Sequence, residues 1–125
     1  MDRERFGKQL NFILEIDKEK QILRQTHIRG YSRQEDDAEH AWHMAVMAFL
    51  LQEYSNEKID IGRTMLMLLI HDLVEIDAGD TYAYDAEANK TKDEREHKAA
   101  ERIYGLLPED QGKMLMDLWL EFEAY

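Results

Sequence analysis

The sequence predicts an all-α protein, a multi-helix bundle of about five helices, and three observations carry that prediction. One proline and six glycines in 125 residues leave few helix breakers. Apolar residues recur at three- and four-residue spacing over long stretches. Runs that alternate polar and β-branched residues, the mark of half-buried strands, are nearly absent.

The first helix is expected over about residues 2–24, where Phe6, Leu10, Ile13, Leu14, Ile22 and Leu23 fall at helical spacing. A polar loop follows from Gln25 to Asp36. The second helix, about Asp37 to Tyr54, has an acidic first turn and a wide apolar face of Ala38, Ala41, Trp42, Ala45, Val46, Phe49 and Leu50, with Trp42 read as core. The third runs from near Asp60 to about Ile76. Residues 77–90 (DAGDTYAYDAEANK) combine Gly79, two tyrosines and small polar side chains, a composition suited to an irregular connection. Connections of that length often border an active site. Thr91 with Glu94 matches a capping box for a fourth helix through about Leu106, and Pro108 opens a fifth that runs to the last residue.

Length and a hydrophobic content of 44% suit one domain, residues 1–125, with one core. A formal charge of −11 offers no basic field for a nucleic-acid backbone or an anionic membrane. Polymeric nucleic acid and membranes are therefore not expected partners. A small phosphorylated metabolite stays compatible, because a metal ion and one or two arginines offset net charge locally. With no cysteine, any metal must be held by histidine and carboxylate. The charged start, Met1 to Lys8, lacks the apolar run of a secretory signal, and no stretch approaches the roughly 18 apolar residues of a membrane span. A cytoplasmic location is expected.

The chemistry concentrates where the apolar run Met65 to Ile70 leads into His71, Asp72 and Glu75. An apolar run on every face implies a surrounded helix, so His71 and Asp72 are expected to be partly buried, and a buried carboxylate requires a charged, hydrogen-bonded or metal partner. Glu75 follows Asp72 by three residues and His71 by four, which places it near both. The second helix supplies His40 and His43 on one face, with Glu39 beside them. Side-by-side packing of the two helices would bring His40 to the His71 and Asp72 pair, a set that suits manganese, cobalt, nickel, iron or zinc. Each residue alone has a plainer reading: His43 bonded within its helix, Glu39 a first-turn charge, Glu75 a solvated helix end, Asp77 and Asp80 ordinary loop polarity.

Together, AEHAWHMA (Ala38 to Ala45), LIHDLVEIDAGD (Leu69 to Asp80), LLPEDQ (Leu106 to Gln111) and LWLEFEA (Leu118 to Ala124) resemble the HD-domain metal-dependent phosphohydrolases, in the branch related to bacterial 5'-deoxynucleotidases. The resemblance covers about residues 20–125. It implies His40 as the first metal ligand, His71 and Asp72 as the doublet that names the class, and Glu75 acting on the attacking water. It also implies Asp80 near the substrate or leaving oxygen and Arg24 near phosphate or sugar. His43 and Asp77 are further candidate substrate contacts. The activity implied is hydrolysis of a (deoxy)nucleoside 5'-monophosphate. Another HD hydrolase of a triphosphate or guanosine alarmone, or a non-catalytic helical module with a residual metal site, are the alternatives.

One departure stands out. The family completes its metal site with an aspartate downstream of the EFEA segment, whereas Asp117 precedes LWLEFEA and does not substitute for it. The sequence is therefore expected to lack C-terminal helices, to hold its metal weakly, and to self-associate as a homo-oligomer through uncovered apolar surface that includes part of the segment containing Trp119 and Phe122.

Overall fold

The computed structural model describes residues 1–27, 33–79 and 91–124. Among these the architecture is all-α, with five helices of ten residues or more: α1 (Arg3–Ile16), α2 (Asp37–Leu51), α3 (Ile61–Ile70), α5 (Lys92–Tyr104) and α6 (Glu109–Glu123). A one-turn α4 (Glu75–Ala78) lies between the third and fourth of them. Short 3₁₀ turns extend α1 through Gln21 and α2 through Tyr54.

The first expected helix stops early. After Ile16 the chain tightens into the 3₁₀ turn Asp17–Gln21 and then enters strand β1 (Leu23–His27), which pairs antiparallel with β2 (Gln34–Asp36). Leu23 sits opposite Asp36 and His27 opposite Gln34, and the Asp37 amide donates to the Ile22 carbonyl at 2.9 Å. Part of the expected polar loop is thus a β ribbon, fixed by pairing between segments that local periodicity does not register. The ribbon delivers the chain into α2 through a reciprocal capping box, in which Asp36 accepts from the Glu39 amide at 2.8 Å and Glu39 accepts from the Asp36 amide at 3.1 Å. The box expected at Thr91 does not form: Thr91 precedes α5 with φ −109° and ψ 3°, outside the extended geometry of a capping residue, and caps nothing with its side chain.

The third expected helix also divides. It ends at Ile70, and residues 71–74 form a tight turn with i→i−3 hydrogen bonds, Leu73 to Ile70 at 3.2 Å and Glu75 to Asp72 at 2.9 Å. The buried Tyr104 hydroxyl donates to the Ile70 carbonyl at 2.9 Å, which anchors α5 to the start of this turn. Leu73 and Val74 face the core there, while His71, Asp72 and Glu75 line the polar side. Gly79 closes α4 at φ 78°, a backbone conformation that favours glycine.

The core joins Phe12, Ile70, Leu73, Val74, Leu107, Leu118 and Trp119 to the α5 residues Ala99, Ala100, Ile103 and Tyr104. A Cβ at Gly112 would lie 2.5 Å from the Tyr104 carbonyl oxygen, so glycine permits the close approach of α6 to the end of α5. Polar ties close the remainder: Arg5 to Asp110 at 2.8 and 3.0 Å, and Arg102 to Asp77 and Glu15. The apolar faces distribute differently from the expectation. Trp119, in the segment of which part was expected to be uncovered, is only 3% exposed, whereas Trp42, read as core, is 62% exposed, together with Val46, Phe49 and Leu50 on α2 and Phe6, Leu10, Ile13 and Leu14 on α1. Helical spacing marks a face as apolar without saying which neighbour covers it. No helix among the described residues is long and apolar enough to cross a membrane.

Candidate metal centre

The tight turn after α3 presents His71 and Asp72, and the first turns of α2 present His40 beside them. One donor atom each from His40, His71 and Asp72 lies within 4.8 Å of the others, a separation compatible with a common ion at roughly 2.0 to 2.3 Å from each. Two imidazoles and a carboxylate suit a borderline divalent cation, so the residues present fit one.

The electrostatics differ among the three groups: Asp72 is held toward its ionised form and His40 toward its neutral form, whereas His71 is pushed toward its protonated form. The His71 Nδ1 donates to the Leu68 carbonyl at 2.6 Å, which leaves Nε2 facing Asp72 Oδ2 at 3.1 Å. Burial pulls the His71 pKa down, but the hydrogen bond and charge of Asp72 and the Leu68 carbonyl raise it overall. Burial likewise pushes Asp72 up, and is outweighed by hydrogen bonds with His71 and Glu75 and the charges of His71 and Arg24, so Asp72 ends below the usual carboxylate range. His40 is lowered, by burial first and the Arg24 charge second, which favours the neutral imidazole a metal requires. The Phe122 ring packs on His71 at 4.6 Å between centroids.

Glu75 opens α4 in contact with this set. Burial, then the hydrogen bond and charge of Asp72 and the charge of Asp37, push its carboxyl up to about 11. A second group of donor atoms, from Asp37, Asp72 and Glu75, also lies within 4.8 Å. Arg24, on β1, reaches Asp72 Oδ2 at 3.5 Å and Glu35 Oε1 at 3.5 Å.

The other candidates lie elsewhere. His43 is exposed on α2 and stacks with Trp42 at 6.0 Å between centroids, outside the set of three. Asp77 is engaged in a two-point ion pair with Arg102. Asp80 is outside the described residues.

Three acidic residues near the centre escaped the sequence reading. Asp37 is fully buried although it occupies the first turn of a helix, where an acid is ordinarily a solvated dipole partner. Glu35 lies in the unforeseen ribbon. Glu19, in the 3₁₀ turn, is 7% exposed, and its Oε1 has no hydrogen-bond partner among the described residues. Burial, then the charges of Asp37 and Asp72, push Glu19 up to about 7 from an ordinary 4.5. A carboxyl raised in the fold contributes stability below its unfolded value and loses that contribution as pH rises through its folded value. At roughly 1.4 kcal/mol per pKa unit, Glu19→Gln is therefore expected to stabilise the protein by about 3 to 4 kcal/mol at pH 8 in chelator, and far less at pH 5. Urea unfolding at the two pH values checks this, and an equal gain at both would refute it.

Comparison with known proteins gives the context of this centre. The crystal structure of a predicted metal-dependent phosphohydrolase from Magnetospirillum magnetotacticum superposes with a TM-score of 0.89 at 57% identity, over 96% of this chain and 60% of that one. Human 5'-deoxynucleotidase HDDC2 is 34% identical over 96 residues, which are 77% of this chain and 46% of the relative. The Dictyostelium discoideum protein of the same name is 30% identical over 99 residues, 75% of this chain and 52% of the relative. The chain thus spans about half the length of the curated relatives it matches. The HD domain family matches residues 16–125, and the His71 and Asp72 doublet falls inside that match: the chain belongs to the HD domain family.

Proposed function

We propose that the protein is a metal-dependent phosphomonoesterase of (deoxy)nucleoside 5'-monophosphates. The observation that carries this reading is the convergence of His40, His71 and Asp72 beside a buried Glu75. The names of the relatives, 5'-deoxynucleotidase and metal-dependent phosphohydrolase, support the substrate class.

In this reading His40, His71 and Asp72 hold a divalent cation, which supplies Lewis acidity toward phosphate and lowers the pKa of water. Every other role falls to the chain. Burial first, then the hydrogen bond and charge of Asp72, hold the Glu75 carboxyl high; a cation held by Asp72 would offset the Asp72 contribution and lower Glu75 toward the range in which it accepts a proton. Water oxygen then bonds to phosphorus as the bond from phosphorus to the 5' oxygen breaks. The water proton passes to Glu75, and the leaving oxygen gains a proton, with Asp80 as the candidate donor. In this reading Arg24, which lies beside Asp72, pairs with phosphate oxygens. His43 and Asp77 are candidate contacts to the rest of the substrate.

A panel of nucleotides with added manganese, cobalt, nickel or zinc tests the reading. Phosphate release is expected from deoxynucleoside 5'-monophosphates and not from triphosphates or guanosine alarmones. Release confined to the latter would move the protein to another HD activity, and metal uptake without release from any of them would leave a non-catalytic metal module.

A further inference from the structure

The carboxylate of Glu35 stands between two groups that the proposed function uses separately. Its Oε1 lies 3.4 Å from His40 Nδ1 and 3.5 Å from Arg24 Nε. Glu35 is central in β2, next to the Asp36 that pairs with Leu23, and Arg24 follows Leu23 where the register shifts before His27 meets Gln34. Alternation along β1 leaves Leu23 outward and turns Arg24 toward Asp72, whose Oδ2 its Nη1 meets at 3.5 Å. Side-chain exposures of 20% for Glu35, 23% for His40 and 24% for Arg24 shield the contact from bulk water, so the charge of Glu35 acts at short range.

Two consequences follow. A carboxylate 3.4 Å from Nδ1 of His40 favours the tautomer that carries its proton there, which leaves Nε2 as the ligand atom. The same oxygen pairs its charge with the Arg24 guanidinium at 3.5 Å on the Nε side, without a hydrogen bond, while Nη1 faces Asp72. We infer that Glu35 is a positioning residue that sets His40 for the metal and Arg24 for the substrate phosphate, and so couples the two subsites. The inference rests on the metal-dependent reading proposed above.

Glu35→Gln, which keeps shape and removes charge, tests it on the whole chain with manganese and inorganic phosphate as probes. Calorimetric titration is expected to show manganese bound about 10- to 100-fold more weakly, the usual effect of losing the partner of a ligating histidine. Phosphate binding to the manganese-loaded protein is expected to weaken about tenfold, within the coupling found between neighbouring residues. In an Arg24→Gln background, Glu35→Gln is expected to cost no further phosphate affinity and the same manganese affinity, a split that a purely structural role for Glu35 in the ribbon would not give. Should the glutamine variant fail to fold, Glu35→Asp, which withdraws the charge by one methylene, is read in the same way. Manganese affinity within twofold of the unsubstituted chain, or an equal phosphate penalty with and without Arg24, would overturn the inference. An unsubstituted chain that takes up no manganese would overturn the metal reading itself, a result seen before any substitution is made.

Discussion

Asp72→Ala is expected to remove manganese binding by well over the 10- to 100-fold that loss of a partner outside the coordination sphere costs, and to remove phosphate release with it. Asp72 is the one anion in the set of His40, His71 and Asp72, so its loss leaves a cation facing two neutral imidazoles and a nearby guanidinium. It also holds the Nε2 side of His71 at 3.1 Å, and without it the buried imidazole loses the contact that raises its pKa. Titration of both proteins with manganese, read beside phosphate release from a deoxynucleoside monophosphate, measures the effect. A variant that keeps manganese affinity within threefold would show that Asp72 is not a ligand. The fold is expected to survive, because Leu73 and Val74 keep the turn in the core.

Glu75→Gln should separate binding from chemistry. The substitution keeps the shape of a residue that is outside the set of His40, His71 and Asp72, so manganese affinity is expected to change little, while phosphate release falls by about 100-fold or more, as loss of a general base commonly costs. The pH profile gives a second reading. With Glu75 as the group that ionises on the metal-loaded protein, the rise of activity with pH is expected to flatten in the glutamine variant. Loss of manganese binding in Glu75→Gln, with activity restored at high manganese, would reassign Glu75 from base to ligand.

Much of this was legible in the sequence, for reasons that differ from residue to residue. Helix formers and the apolar periods of residues 92–104 and 109–123 specify α5 and α6 almost to their ends, since caps and breakers such as Pro108 act locally. His71 and Asp72 could be singled out because an apolar run led straight into two ionisable residues. The β ribbon could not be read in this way, because pairing across residues 23–36 depends on a partner segment and not on the period of either strand. The ribbon carries Glu35, so the carboxylate facing His40 was hidden with it, while Arg24 was singled out only by the resemblance. The division at Ile70 was hidden for a related reason: Met65 to Ile76 is helical in composition, and only the docking of Tyr104 and the burial of Leu73 and Val74 turn it into a tight bend. Asp37 and Glu19 show a different limit, since nothing in an acidic residue announces that it will be buried among others of its own charge.

The placement of the tight turn gives the centre two unlike jaws. His71 and Asp72 share their backbone with Leu73 and Val74, so shifting either ligand by even a fraction of an ångström means repacking an interior that resists compression. His40 rides instead on α2, which buries only small residues, Ala41 and Ala45, beside Asp37 and contributes nothing to the main core cluster. The two sides of the centre are thus held by different means, one by a turn set into the hydrophobic interior and the other by a helix packed along α3, so enlarging or trimming Leu73 or Val74 would displace His71 and Asp72 before it reached His40.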